Sequence, residues 1–317
     1  MKKLRAAVIG AGSFGRNHIR VIQQIENIEL VAIVDTDLER ARQLAGECHA
    51  QAFSSFEKAL GLFDAAIVAT PTVTHEYIVA GLLDSGIDVL IEKPIAASSI
   101  AGERLARLAR ERGRILQVGH LERFNPAVVV LENAVTLPLF FEVHRLSVFT
   151  PRSLDIDVVL DLMIHDLEIV LSFTQDMPQE IRAAGISVLS PRVDIANVRL
   201  AFASGCIANL TASRISTEKV RKLRLFQPGE YISIDYQRQE AVRLAIKGSE
   251  IAFEQFPVAH GEPLQLELTS FFDAVRNRTP PKVDGFQAAN ALRVAEAILA
   301  KIKEHADLVS ETIRLRS

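Results

Sequence analysis

Through roughly its first 120 residues the chain alternates short apolar runs with segments whose apolar residues recur every three or four positions. Runs at 4–9, 29–34, 65–69, 89–92 and 115–118 predict strands. Periodic segments at 16–24, 38–46, 55–60, 73–85 and 98–112 predict helices. Strand and helix taken in turn imply a parallel, doubly wound α/β sheet with right-handed crossovers. The run Val89-Leu90-Ile91 is unbroken, as in a strand buried on both faces, and it closes on Glu92-Lys93-Pro94. Proline cannot continue a ladder and holds the residue before it in extended or turn geometry. Glu92 and Lys93 therefore stand just past the carboxyl end of a central strand, the edge at which open α/β sheets bind ligands. A surface ion pair of small worth is the plainer reading of the same two residues.

After Gly119-His120 the period changes. Glu122-Arg123-Phe124-Asn125-Pro126 interrupts the sheet pattern and a helix follows to about 133. Alternating segments then appear at 140–149, 180–189, 194–202, 206–214, 222–227, 231–235, 241–246 and 251–256, several joined by turns such as Pro228-Gly229 and Lys247-Gly248. They predict an α+β domain with a large, mainly antiparallel open sheet. One helix, about 155–172, interrupts the strands; helices at 263–276 and 285–305 and a charged tail close the chain. The expected domains are 1–121 and 122–317. A one-sided sheet of eight strands leaves a wide apolar face, so at least a homodimer, or a homotetramer, is expected.

Composition narrows the class. At 317 residues, 49% hydrophobic and 24% charged, the chain is a soluble globular protein long enough for two domains. A net charge of −3 and a pI near 6.3 give no electrostatic case for nucleic acid or an anionic membrane. Cys48 and Cys206 lie far apart, in no disulfide framework and no metal-ligand spacing, which fits a reducing cytoplasm. No signal peptide is visible and no apolar run approaches the ~20 residues of a membrane span.

The chemistry is carried by three constellations. Gly10-Ala11-Gly12-Ser13-Phe14-Gly15 follows a strand and opens a helix, where glycines permit a tight turn and close backbone approach to a pyrophosphate on the helix N-terminus. The next strand ends in Asp35, 20 residues beyond Gly15, placed to accept hydrogen bonds from the adenosine ribose. Its charge repels a 2′-phosphate and Thr36-Asp37 supplies no arginine, so NAD is expected over NADP. This is the Rossmann fingerprint in its required context. Thr70-Pro71 ends another strand on the same edge, with His75 in the following turn. His75 reads most simply as a solvated helix-start residue, and beside a nucleotide it can hydrogen-bond the cofactor. Asp161 and His165 lie four apart on an otherwise apolar helix and so share one face. Out of water, such a carboxylate orients the imidazole and favours its protonated form, an acid/base pair. An exposed ion pair is the alternative, since Asp157, Asp166 and Glu168 read as ordinary solvated acids on the same helix.

Taken together, Gly10–Gly15, Glu92-Lys93-Pro94 and Asp161-x-x-x-His165 make the chain resemble, over its whole length, the Gfo/Idh/MocA family of NAD(P)-dependent sugar oxidoreductases. The resemblance implies a Rossmann domain followed by an α/β domain whose open sheet often serves for oligomerisation. It implies that Lys93, Asp161 and His165 line the place where the nicotinamide meets a sugar carbinol, and that the Lys93–Pro94 peptide is cis. Many members carry a glycine-rich run before Asp-x-x-x-His, where this chain has Ile156-Asp-Val-Val-Leu160. Gly119-His-Leu-Glu-Arg-Phe-Asn-Pro126 and Phe149-Thr-Pro-Arg-Ser-Leu-Asp155 resemble the nucleotide-sugar branch. Those members convert UDP-N-acetylglucosamine to its 3-keto sugar for a partner aminotransferase in lipid A assembly. On that analogy Arg123, Arg145 and Arg152 can meet the diphosphate and Asn125 a sugar hydroxyl or the acetamido group. A dehydrogenase of free sugars, inositols or anhydrosugars fits the same three signatures. A cofactor-sensing regulator without catalysis is a different class of reading.

Overall fold

The computed structural model describes residues 3–150, 156–248 and 250–316. Its first unit runs through Leu121 and takes back Gly261–Ala289. Strands β1 (Leu4–Ile9), β2 (Ile28–Val34), β3 (Gln51–Phe53), β4 (Ala65–Val68), β5 (Asp88–Glu92) and β6 (Leu116–Gly119) form one sheet in the order β3-β2-β1-β4-β5-β6. Every pairing in it is parallel. Helices α1 (Ser13–Ile22), α2 (Leu38–Cys48), α3 (His75–Asp84) and α4 (Ser99–Glu111) make the crossovers. Ala6–Val8, Ala65–Val68 and Val89–Ile91 are wholly out of water, the continuous burial that their apolar runs predict. The order reverses between β1 and β4, so the ligand crevice belongs at their carboxyl ends. β5 lies one place further out, inside the sheet but not at its centre.

β3 has no counterpart in the sequence reading, because three residues with exposed or half-exposed side chains carry no period. It pairs with the end of β2, and Asp35 N donates to Phe53 O at 3.1 Å.

The second unit is Glu122–His260 together with the chain from Asn290 onward. Helix α5 (Pro126–Ala134) leads into β7 (Phe140–Val148); α6 (Ile164–Thr174) precedes the strands β8 (Glu180–Ile186), β9 (Ile195–Ala201), β10 (Ile207–Ser216), β11 (Val220–Gln227), β12 (Glu230–Asp235), β13 (Glu240–Lys247) and β14 (Glu250–Gln255). They form one sheet, β14-β13-β12-β11-β7-β10-β9-β8. Its pairings are antiparallel except β7 with β10. One face packs on α5, α6 and the final helix α8 (Gly285–Arg316) through Phe141, Val143, Leu210, Leu225, Leu167, Val170 and Ile298.

Two expectations are corrected. Residues 261–289 were placed with the second domain, but α7 (Pro263–Asn277) buries Leu268, Phe271 and Phe272 in the same cluster as Ala6, Val8 and Ile67 of the first sheet. The helix follows its apolar stripe to that core. The charged segment after 305 is no tail: α8 continues through it to Arg316.

Candidate active site

The glycine turn has the shape a pyrophosphate needs. Gly10 has φ +99°, and a Cβ there would meet Ala69 O at 2.3 Å. A Cβ on Gly15 would fall 1.8 Å from Gly10 O, so helix and turn touch backbone to backbone. Around Gly12 the space is open, nothing lying within 4 Å of a built Cβ. Gly12 caps α1 without a side chain, and no acid stands in the first turn. The first amides of the helix, at Ser13 and Phe14, are thus presented to an anion. These features fit the diphosphate of NAD.

Asp35 anchors the far end of that turn. Its Oδ2 accepts Ala11 N at 2.7 Å and its Oδ1 accepts Asp37 N at 2.9 Å. Each oxygen keeps a lone pair for a ribose hydroxyl. Sequence reasoning saw no arginine here, yet Arg40 Nη1, one turn into α2, lies 3.6 Å from Asp35 Oδ2. The helix supplies across space what positions 36 and 37 lack.

Two histidines brace the same sheet edge. His18, buried in α1, meets Glu92 Oε1 at 2.7 Å through Nε2, joining α1 to the end of β5. Glu267 of α7 is also buried, and burial followed by the nearby Glu92 charge pushes its carboxyl well above the ordinary range. His75 is no solvated residue: it is 1% exposed, with Nε2 at 2.9 Å from Thr70 O and Nδ1 at 3.0 Å from Pro94 O. It straps the Thr70-Pro71 turn to the Lys93-Pro94 turn, whose peptide is cis. Thr74 Oγ1 donates to Pro71 O at 2.7 Å and tightens the first turn further. Lys93, directly before Pro94, is half-buried.

In the second unit, the predicted helix at 155–172 is split. Val159–Met163 form a widened π turn, and α6 starts at Ile164. Asp161 lies in the π turn and His165 is the second residue of α6; both are half-buried. Such turns often occur at functional sites, but no sequence period reveals them. Asp157 Oδ1 accepts Val193 N at 3.0 Å, fixing the entry to the turn.

The acids expected to be solvated are buried instead. Asp166 and Glu168 are each 1% exposed. Arg145 binds Asp166 with Nε at 2.6 Å and Nη2 at 2.7 Å, and reaches Glu122 with Nη1 at 2.8 Å. Arg123 binds Glu168 at 2.7 Å and Glu132 at 3.4 Å. Burial works to raise the Glu122 carboxyl, but Arg145 and then Arg221 hold it below its usual value. Asn125 caps α5 by accepting Ala127 N at 3.1 Å, and its amide donates to Glu122 Oε2 at 3.2 Å and Tyr236 O at 3.0 Å. Three residues expected at the substrate, Arg123, Asn125 and Arg145, are therefore interior fasteners. A buried carboxylate demands a buried cation, and these side chains meet that demand. Arg152 lies outside the described residues. Two cations near this network carry no signal in the sequence, where they read as ordinary surface charge: Lys219, just before β11, and Arg221, its second residue. Arg221 Nη1 lies 3.3 Å from Glu122 Oε1, and Asp161 is near enough to act on its charge.

Among the described residues no helix is long and apolar enough to cross a membrane. The chain matches the profile of the oxidoreductase family with an NAD-binding Rossmann fold over residues 4–120, and that of the GFO/IDH/MocA C-terminal domain over residues 141–229. It is 34% identical to a UDP-N-acetylglucosamine 3-dehydrogenase of Acidithiobacillus ferrooxidans, over 93% of this chain and 96% of that one. To the scyllo-inositol 2-dehydrogenase (NAD(+)) of Bacillus subtilis it is 26% identical over 93% of both. Among solved structures, the Acidithiobacillus enzyme superposes with a TM-score of 0.91 at 32% identity, covering 96% of this chain and 99% of the other. Levoglucosan dehydrogenase with NADH shares the fold, with a TM-score of 0.86 at 15% identity. With these matches over a Rossmann unit and an open-sheet unit, the chain belongs to the Gfo/Idh/MocA family of NAD-dependent oxidoreductases.

Proposed function

We propose that the protein oxidises the 3-hydroxyl of UDP-N-acetylglucosamine to the 3-keto sugar with NAD. The observation that carries this reading is the 34% identity to an enzyme named for that substrate, extending over nearly the full length of both chains. Lys93, Asp161 and His165 stand at the motif positions through which the family handles a sugar carbinol. His165 removes the hydroxyl proton, Asp161 orients the ring and steadies its positive charge, and Lys93 hydrogen-bonds the same oxygen as negative charge develops on it. A desolvated lysine is also able to serve as base, so the two residues can exchange roles. Bound NAD supplies the hydride acceptor. The amides of Ser13 and Phe14 hold its diphosphate, Asp35 its ribose, and the Thr70-Pro71 and Lys93-Pro94 turns its nicotinamide end. Glu92, tied to His18, keeps Lys93 at the edge of the sheet.

A second reading, oxidation of an inositol or free sugar, is favoured by the 26% identity to the Bacillus subtilis inositol enzyme over 93% of this chain. A regulator that binds NAD without turnover is the remaining class, and any sugar-dependent reduction of NAD excludes it.

The working form is a homodimer or homotetramer. On the outer face of the second sheet, Phe140, Phe226, Tyr231, Leu244 and Phe253 stand opposite one another across five strands. Beside them Ile246 and Ile251 are 66% and 77% exposed. An apolar row of this extent fits the same row of a second copy. A cytoplasmic location fits the two free cysteines, Cys48 and Cys206. The 3-keto product is a substrate for a partner aminotransferase, as in assembly of a lipid A type sugar.

The test is absorbance at the NADH band with purified protein, NAD and UDP-N-acetylglucosamine. An aminotransferase or other product trap is included because alcohol oxidation by NAD is uphill. A rise that depends on the UDP-sugar is expected. A rise with inositols or free sugars alone would replace the substrate and keep the reaction.

A further inference from the structure

The opening of β11 sets like charges against one another. Arg221 stands directly opposite Arg145 across the antiparallel pair β11–β7. Both lie on the face that holds Leu223 and Val143 in the core. Like charges directly opposite each other are unfavourable in a sheet. One carboxylate, Glu122, serves both, at 2.8 Å from Arg145 Nη1 and 3.3 Å from Arg221 Nη1. Arg145 has Asp166 in addition. Among the described residues Arg221 has only the longer share of Glu122, and its Nε is buried without an acceptor there. Two residues earlier, Lys219 is exposed and its side chain makes no ion pair among the described residues. The Arg221 charge, ahead of burial, holds the Lys219 ammonium below its ordinary value. Such repulsion is relieved when an anion arrives.

Asp161, in the π turn, acts on the same guanidinium, so Arg221 lies beside the acid of the proposed acid/base pair. Resting on the nucleotide-sugar reading above, we propose that Arg221 and Lys219 form the seat for the diphosphate of the substrate. The guanidinium fork takes one phosphate in two parallel hydrogen bonds and the lysine meets the other as a mobile point charge. Arg145, with all its reach turned to Asp166 and Glu122, holds the floor of this seat and does not touch the substrate.

The experiment is calorimetric titration of UDP into the full-length protein carrying NAD, for the wild type, Arg221→Gln, Arg221→Lys and Lys219→Gln. Alongside it, KM and kcat are measured for UDP-N-acetylglucosamine. Arg221→Gln is expected to weaken UDP binding about tenfold or more, Lys219→Gln severalfold, and Arg221→Lys to recover part of the loss. KM for the UDP-sugar rises in parallel, while the Kd for NAD stays put. Should Arg221→Gln fold poorly, exposed Lys219→Gln carries the test. UDP bound equally tightly by wild type and Lys219→Gln and Arg221→Lys overturns the seat, and leaves the function standing if the wild type oxidises the UDP-sugar. A wild type that neither binds UDP nor oxidises any UDP-sugar overturns the nucleotide-sugar reading and the seat with it.

Discussion

Arg145 and Asp166 form a two-pronged ion pair, with bonds of 2.6 and 2.7 Å and both side chains about 2% exposed. The pair joins the middle of the second sheet to α6, the helix that carries His165. Its surroundings are polar too: Glu122 takes the third arm of Arg145, and the neutral Tyr236 Oη donates to Asp166 Oδ1 at 3.3 Å. The network fixes the sheet and the helix in one relation, which a purely apolar contact specifies less sharply.

Replacing Arg145 by methionine keeps most of the bulk and leaves Asp166 and Glu122 without their main cation. Unfolding in urea should show a loss of about 3–5 kcal/mol, the usual cost of stranding a buried charge. A phosphate-binding arginine would behave otherwise, giving a raised KM in a protein of normal stability. That second outcome would return Arg145 to the substrate.

The contrast shows what the chain discloses by itself. The two sheets were legible because burial on both faces gives unbroken runs such as Val89-Leu90-Ile91, and burial on one face gives alternation such as Phe141, Val143 and Arg145. The cofactor turn was legible because few residues other than glycine survive at Gly10 and Gly15. What escaped was partnership. An arginine for a phosphate and an arginine for a buried aspartate look alike in sequence, and only the fold tells that Arg145 binds Asp166 of α6 while the Nε of Arg221 has no acceptor among the described residues. Arg40 escaped for the same reason, since its relation to Asp35 is made by a helix turn and not by adjacency.

Removal of the proposed acid/base groups should slow chemistry and spare cofactor binding. Lys93→Ala and His165→Ala are each expected to lower kcat with the UDP-sugar by about two orders of magnitude or more. NAD affinity, followed by fluorescence titration, should change little for His165→Ala. Turnover within a factor of a few of the wild type in both variants would remove these residues from the mechanism.

His75 predicts a pH dependence of stability. Burial, acting against the carbonyls of Thr70 and Pro94, lowers its folded-state pKa below 6.5. A neutral ring donates from one nitrogen only, so one carbonyl receives no proton, and burial still prevails over that loss. A histidine held neutral stabilises the fold fully above its unfolded pKa, and that contribution is lost as pH falls from about 6.5 toward the lower folded value. The melting temperature of the wild type should fall between pH 7.5 and 5.5 more than that of His75→Gln. Equal slopes would show that the ring does not titrate across that range. NAD affinity should also weaken in the variant, because the Thr70-Pro71 and Lys93-Pro94 turns lose the strap between them.

Asp35 and Arg40 together predict how cofactor choice can be moved. Asp35, the proposed ribose partner, has two oxygens that already accept Ala11 N and Asp37 N. Its charge opposes a 2′-phosphate, and Arg40, 3.6 Å from Oδ2 and 3.0 Å from Asp37, is held by the two acids. Asp35→Ser removes the repulsion and frees the guanidinium from one of its two partners. A hydrogen bond to a charged group contributes about 1.5–3 kcal/mol, so KM for NAD should rise about tenfold or more. The same variant should gain kcat/KM with NADP, since the fork of Arg40 suits a phosphate. Adding Arg40→Ala should erase the gain with NADP and leave the loss with NAD. If Asp35→Ser keeps the wild-type ratio of kcat/KM for NAD over NADP, the carboxylate does not discriminate between them, and the choice lies elsewhere around the ribose.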